Sequence, residues 1–163
     1  MITEEQKNSL LKDEYLKLQD IYESFDQRAL TIKGWAITIC LGGIAVGFEK
    51  SLDSLWYFSG IAAVLFWWIE AKWKTFQYSN SLRIRQIEGY FRNDDDKKDL
   101  KPLQIYNTWY KSYVEGLHPH TNKMDNRSPR QKIVSNARLS LVYTPYIYII
   151  LIDIILIGWR AIA

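Results

Sequence analysis

Apolar residues fall in three blocks along this chain, with charged stretches between them. The first runs from about Ala29 to Phe48 and is interrupted by Lys33. The second runs from Leu55 to Ala71 with Glu70 near its end, and the third from Leu139 to Trp159 with Asp153 inside it. The third block is long enough to cross a hydrocarbon layer of ~30 Å as a helix. The first two have uncharged cores of 15 residues, Gly34–Phe48 and Leu55–Ile69. Each falls about a turn short, so Lys33 and Glu70 are expected at the rim of the layer or paired. The pattern predicts an all-α integral membrane protein with spans at about 29–48, 55–71 and 139–159.

Between the blocks the periodicity stays helical. Leu11, Tyr15, Leu18, Tyr22, Phe25, Ala29 and Ile32 recur at alternating spacings of four and three, a heptad-like stripe, and no Gly or Pro interrupts residues 3–33. One helix is expected from about Thr3 through Phe48. The second span should continue as a helix with Trp73, Phe76, Ile84, Ile87 and Phe91 as its apolar stripe, ending near Asn93–Asp96. The two form a long antiparallel transmembrane helical hairpin with its tip between residues 51 and 52, so residues at equal depth have numbers adding to about 103. That register sets Lys33 against Glu70, Gly43 against Gly60 and Asp20 against Arg83. Gly43-xxx-Gly47 and Ser59-xxx-Ala63 have the small-residue spacing of close helix packing, which marks Gly43, Gly47 and Gly60 as packing positions. Residues 92–102 read as a solvated turn, Leu103–Glu115 as a short helix carrying Tyr106, Trp109, Tyr110 and Tyr113, and Gly116–Arg127 as a loop. Ser128-Pro129 then opens a last helix that should run through the third span and kink at Pro145. Residues 1–163 are expected to form one membrane unit: the hairpin, its cytoplasmic extensions and a third, kinked transmembrane helix.

Composition adds orientation. The chain is 48% hydrophobic with 7 Trp and 11 Tyr, and its net charge of +3 hides an asymmetry. Nineteen Lys and Arg fall in residues 1–33 and 72–138, and two fall in the connector Glu49–Ser54 and the C-terminus. Basic residues stay on the cytoplasmic side. The N-terminus and residues 72–138 are therefore expected in the cytoplasm, and the C-terminus outside, across a bacterial inner membrane. Trp56, Tyr57 and Trp159 should mark the outer interface, and Trp67, Trp68 and Trp73 the inner one. The acids Glu4, Glu5, Asp13, Glu14, Asp20, Glu23 and Asp26 are unlike a secretory signal peptide or a mitochondrial presequence. A lone cysteine, Cys40, builds neither a disulfide nor a thiolate zinc site within one chain.

Four groups invite a chemical reading. Asp153 is an acid inside an apolar span, which suits an ion path, a proton relay or a polar contact between subunits. The plainer alternative is an acid near the outer interface satisfied by Lys50, Arg160 or water. Lys33 and Glu70 read as a structural charge pair of the hairpin. Arg83, Arg85 and Arg92, with Lys72, Lys74, Lys97, Lys98 and Lys101, form a cytoplasmic basic patch suited to anionic lipid headgroups. Asp94–Asp96 and Asp99 dilute that patch, and no nucleic acid is expected. His118-Pro-His120 lacks the further ligands a metal site needs, so neither metal nor cofactor is expected. There is no Gly-rich phosphate loop, GxSxG or HExxH, and no enzymatic activity is expected.

The segment Tyr15-Leu-Lys-Leu-Gln-Asp-Ile-Tyr…Phe25-Asp-Gln-Arg-Ala-Leu-Thr-Ile-Lys-Gly-Trp35 leads directly into a short glycine-bearing span. The second span ends Phe66-Trp-Trp-Ile-Glu-Ala-Lys-Trp-Lys-Thr-Phe-Gln77 and continues as a basic helix with Arg83-Ile-Arg-Gln-Ile-Glu88. Over roughly residues 10–92 this layout resembles small bacterial membrane effectors of antiviral defence, such as the SLATT-type proteins. In those, a cytoplasmic helix precedes a membrane hairpin and another helix follows. The third span departs from their two-span pattern. The resemblance implies an oligomer that perturbs the inner membrane when a partner triggers it. A non-conducting anchor that recruits a soluble cytoplasmic partner through residues 93–128 is the alternative.

Overall fold

The computed structural model describes residues 2–94, 99–117 and 127–162 and is all-helical. Its elements are α1 (Glu4–Lys50), α2 (Ser54–Phe91), α3 (Ile105–Tyr110, continuing as a π-helical turn over Lys111–Glu115), α4 (Pro129–Ala137) and α5 (Ser140–Ile162). Three of these, α1, α2 and α5, are long and apolar enough to cross a membrane. Two helices start on capping boxes. Thr3 Oγ1 accepts from the Gln6 amide while Gln6 Oε1 accepts from the Thr3 amide. Ser128 and Gln131 repeat the arrangement ahead of α4. At the far end of α1, Ser51 takes a left-handed conformation (φ 54°). The Leu52 amide then reaches back to the Gly47 carbonyl at 2.9 Å, which reverses the chain into α2.

Contacts gather into two compact units, Met1–Asp26 with Lys74–Lys132, and Gln27–Trp73 with Ile133–Ala163. Both α1 and α2 run unbroken through the two.

In the first unit, α1 and α2 pair antiparallel. Leu11, Leu18 and Ile87 form the core, covered by Tyr15, Ile84, Tyr90 and Ile105. The α1 stripe faces inward as its heptad spacing predicts. The α2 face differs from expectation: Phe91 is exposed, and the buried side chains include Lys74, Thr75, Gln77, Ser79, Asn80 and Arg83. Several of these satisfy themselves on their own helix or the facing one. Ser79 Oγ donates to the Thr75 carbonyl, Asn80 to that of Phe76, and Gln77 to that of Tyr22. On another side of α2, Phe76 packs edge-on against Tyr113 (5.2 Å), which stacks on Trp109 (5.1 Å). Lys132 donates to the carbonyl of Ser112 at 2.7 Å.

In the second unit, segments of α1 and α2 pair antiparallel and α5 packs against them. Cys40, Ala63 and Ile149 form one core cluster, and Ala71, Ile133 and Val142 another. The last helix is not continuous. A turn at Arg138–Leu139 separates α4 from α5, where the amides of both residues bond three residues back instead of four. Trp67 Nε1 donates to the Ala137 carbonyl at 2.9 Å and caps the end of α4. Pro145 lies within α5. Its missing N–H leaves the Leu141 carbonyl without a helical donor. The Lys33 ammonium supplies one at 2.8 Å.

Candidate functional site

The apolar length of α5 hides which of its faces is inward. Val142, Tyr146, Ile149 and Asp153 are its buried residues, at spacings of four, three and four. Asp153 therefore falls on the inward stripe and is only 2% exposed. It lies over Gly60 of α2: a Cβ built on that glycine would sit 3.5 Å from Asp153 Oδ2. Neither carboxyl oxygen has a hydrogen-bond partner among the described residues. The neighbouring Ser59 hydroxyl is turned to the Cys40 carbonyl (3.4 Å), and the Cys40 thiol in return faces the Ser59 carbonyl at 3.5 Å. The cations expected to satisfy Asp153 are engaged elsewhere. Arg160 bonds Asp53 at 3.2 Å, and Lys50 bonds Glu49 at 3.1 Å. Above Asp153 an apolar cleft of about 400 Å³ opens between α2 and α5, lined by Trp56, Ile61, Val64, Ile150, Ile154 and Ile157.

A second polar cluster lies further along the same interior. Glu70, 1% exposed, accepts from Lys33 Nζ at 3.0 Å and from the Tyr146 hydroxyl at 2.7 Å. Lys33 thus serves both the Glu70 carboxylate and the carbonyl freed by Pro145. This set is saturated, and its role is to join three helices. Tyr146 and Asp153 are two turns apart on α5, about 10 Å along the axis. Cys40 and Ser59 supply polar atoms on the facing helices.

The packing glycines behave differently from the expected register. Gly60 faces Asp153 instead of Gly43, and Gly43 comes nearest the Leu55 carbonyl. Gly47 is the position that demands a missing side chain: a Cβ there would lie 2.7 Å from Trp56 Nε1 and 3.2 Å from the Leu52 carbonyl. Trp56 fills that gap, 2% exposed, with its indole N–H on the Ile44 carbonyl at 3.3 Å. It faces inward.

Arg83 also departs from expectation. It is 2% exposed and belongs to no surface patch. Its Nε and Nη2 grip both oxygens of Glu14 at 2.9 Å, and Nη2 also donates to the Lys101 carbonyl at 2.7 Å. Glu14 in turn accepts the amides of Leu103 (2.8 Å) and Gln104 (3.1 Å) at the start of α3. The expected partner, Asp20, is exposed. Six residues at 100° each turn it well away from the Glu14 face. Sequence reasoning missed Glu14, although Leu11-xx-Glu14-xxx-Leu18 places it on the core stripe. Arg85 is exposed, and Arg92 is exposed and paired with Asp94 at 2.9 Å. Burial raises the Tyr22 hydroxyl above its ordinary pKa, with Tyr78 and Asp26 adding to the effect.

No group of three or more His, Cys, Asp or Glu able to hold a metal occurs among the described residues. His118, His120, Lys97 and Lys98 lie outside the described residues. Comparison with protein-family models, curated proteins and solved structures returned no match.

Proposed function

We propose that the chain is an oligomeric inner-membrane effector with channel-like action, its cytoplasmic helices coupling a signal or a soluble partner to perturbation of the bilayer. The observation that carries this reading is the inverted polarity of the second unit. Lys33, Glu70, Tyr146, Ser59 and Asp153 turn inward, while Ile39, Val46, Phe58, Ile61, Leu65, Ile154 and Ile155 are exposed. Water is a poor solvent for such a surface and lipid a good one. An interior line of polar groups from three apolar helices, ending in an unpaired carboxyl, suits ion or proton passage better than anchoring. The first unit has the reverse polarity, with Lys12, Asp13, Lys17, Asp20 and Glu23 exposed. That suits a cytoplasmic receiver, and α1 and α2 connect it covalently to the spans. The excess of Lys and Arg in residues 1–33 and 72–138 supports an N-terminus inside and a C-terminus outside. Service in antiviral defence rests on the layout shared with SLATT-type proteins. No enzymatic role, nucleic-acid partner or cofactor is proposed.

The test is controlled expression with membrane potential and growth as readouts. Depolarisation and growth arrest are expected from the wild type, alone or on triggering, and both should be lost in Asp153→Asn. An untouched potential under every condition would sink the channel-like reading. A second reading, a non-conducting anchor, is favoured by the exposed apolar face of α3. Tyr106, Tyr110 and Val114 are exposed along α3 and its π-helical continuation, and Leu103 is exposed just ahead of it, with Tyr106 74% exposed. An anchor would keep its partner in Asp153→Asn and lose it in Tyr106→Ala.

A further inference from the structure

In the unit of residues 27–73 and 133–163, two features bear on association between copies. One is the pair of Asp153 oxygens, buried with no hydrogen-bond donor among the described residues at the floor of an apolar cleft. The other is the outward face of α1. Gly34, Thr38 and Gly42 follow one another at four-residue spacing, and all three are exposed. A Cβ at Gly34 or Gly42 would meet nothing within 4 Å. Ala36 and Cys40 are fully buried on the opposite side. At 100° per residue Thr38 points almost directly away from them. Such a stripe lets another helix approach closely in lipid, and Thr38 carries a hydroxyl at its centre.

Depth links the two features. Cys40 and Ser59 bond each other across α1 and α2. Gly60, next to Ser59, faces Asp153. Asp153 therefore lies level with Cys40, and Thr38 is two residues, about 3 Å, away along the axis. Copies of one chain in one membrane share orientation and depth. The Thr38 hydroxyl of a neighbour is thus carried at the level of the Asp153 carboxyl. Lipid tails have no donor to offer it.

The geometry points to a head-to-tail contact between two copies of this chain, in which the Gly34–Thr38–Gly42 face of α1 seats in the α2–α5 cleft of the next copy and its Thr38 hydroxyl donates to Asp153. The contact rests on the oligomeric membrane reading above and gives it a specific interface. The two surfaces differ, so each copy offers one of each and the contact repeats into a ring or an array.

The test uses full-length protein in native membranes. A tagged Thr38→Cys copy and a differently tagged Asp153→Cys copy, both in a Cys40→Ala background, are co-expressed and oxidised. A mixed-tag disulfide dimer is expected. Thr31→Cys with Asp153→Cys, displaced by about 10 Å in depth, should give none. In otherwise wild-type protein Gly42→Leu meets open space within its own chain, so it should fold and shift the assembly to monomers. Thr38→Val should weaken association about three- to twentyfold, the range of one hydrogen bond between helices in lipid, and Thr38→Ser should restore it. A wild type that is monomeric by mass in detergent and in membranes overturns both the oligomer and this contact. An oligomer that shows no 38–153 crosslink and ignores Gly42→Leu overturns this contact alone.

Discussion

In the unit of residues 1–26 and 74–132, the buried Glu14 carboxylate accepts two guanidinium and two backbone N–H groups. In the unit of residues 27–73 and 133–163, the Asp153 carboxyl is as deeply buried and accepts none from the described residues. Burial of a charge is costly in both places, and removing one partner of a buried pair costs far more than an exposed pair contributes. Glu14 and Arg83 are therefore architectural: they pin the segment leading into α3 onto the paired helices. Asp153 makes no such bond among the described residues, and the proposed function turns on that difference. Lys33 and Glu70 show that the second unit is able to satisfy a buried carboxylate, which makes the unsatisfied one more informative.

This contrast can be broken by substitution. Arg83→Ala should have the largest effect, a loss of about 3–5 kcal/mol. It strands Glu14 and should show as early thermal loss of helical signal. Glu14→Leu combined with Arg83→Met should recover most of that loss. A wild-type melt for Arg83→Ala would remove the architectural role. Glu70→Ala should cost about 2–3 kcal/mol, since it takes a charged partner from Lys33 and an acceptor from Tyr146. Lys33→Met should cost about as much, because it takes the cation from the buried Glu70 carboxylate and the donor from the Leu141 carbonyl.

Asp153→Leu sharpens the comparison from the other side. In detergent-separated monomers it should be neutral or stabilising by about 1 kcal/mol, while abolishing membrane activity. A strongly destabilised monomer would show that Asp153 is a structural group after all. The smallest effect is at Tyr22. Its raised hydroxyl pKa means the folded state holds the proton more tightly than the unfolded chain, whose value is near 10.0. Stability from this source is complete below that pH and falls as pH rises from there through the folded value. Tyr22→Phe should flatten this alkaline limb of the melting curve.

The pattern of apolar blocks and heptad spacing was enough to find the three long helices, the reversal near residues 51–52 and the inward face of α1. These are properties of hydrophobic periodicity, which is local. The placement of Lys33 beside Glu70 also follows from counting residues from the hairpin tip. The same count sets Trp56 level with Gly47, but it did not set Arg83 against Glu14 or Gly60 against Asp153. Both depend on how each helix is rotated about its axis: the Leu11–Leu18 stripe marks that rotation for Glu14, whereas helices apolar on every side, as around Gly60 and Asp153, carry no mark of it in their sequence. The break at Arg138–Leu139 and the use of Lys33 to satisfy the Leu141 carbonyl belong to the tertiary structure for a related reason. A backbone group finds its partner from a distant element, and only packing brings the two within reach.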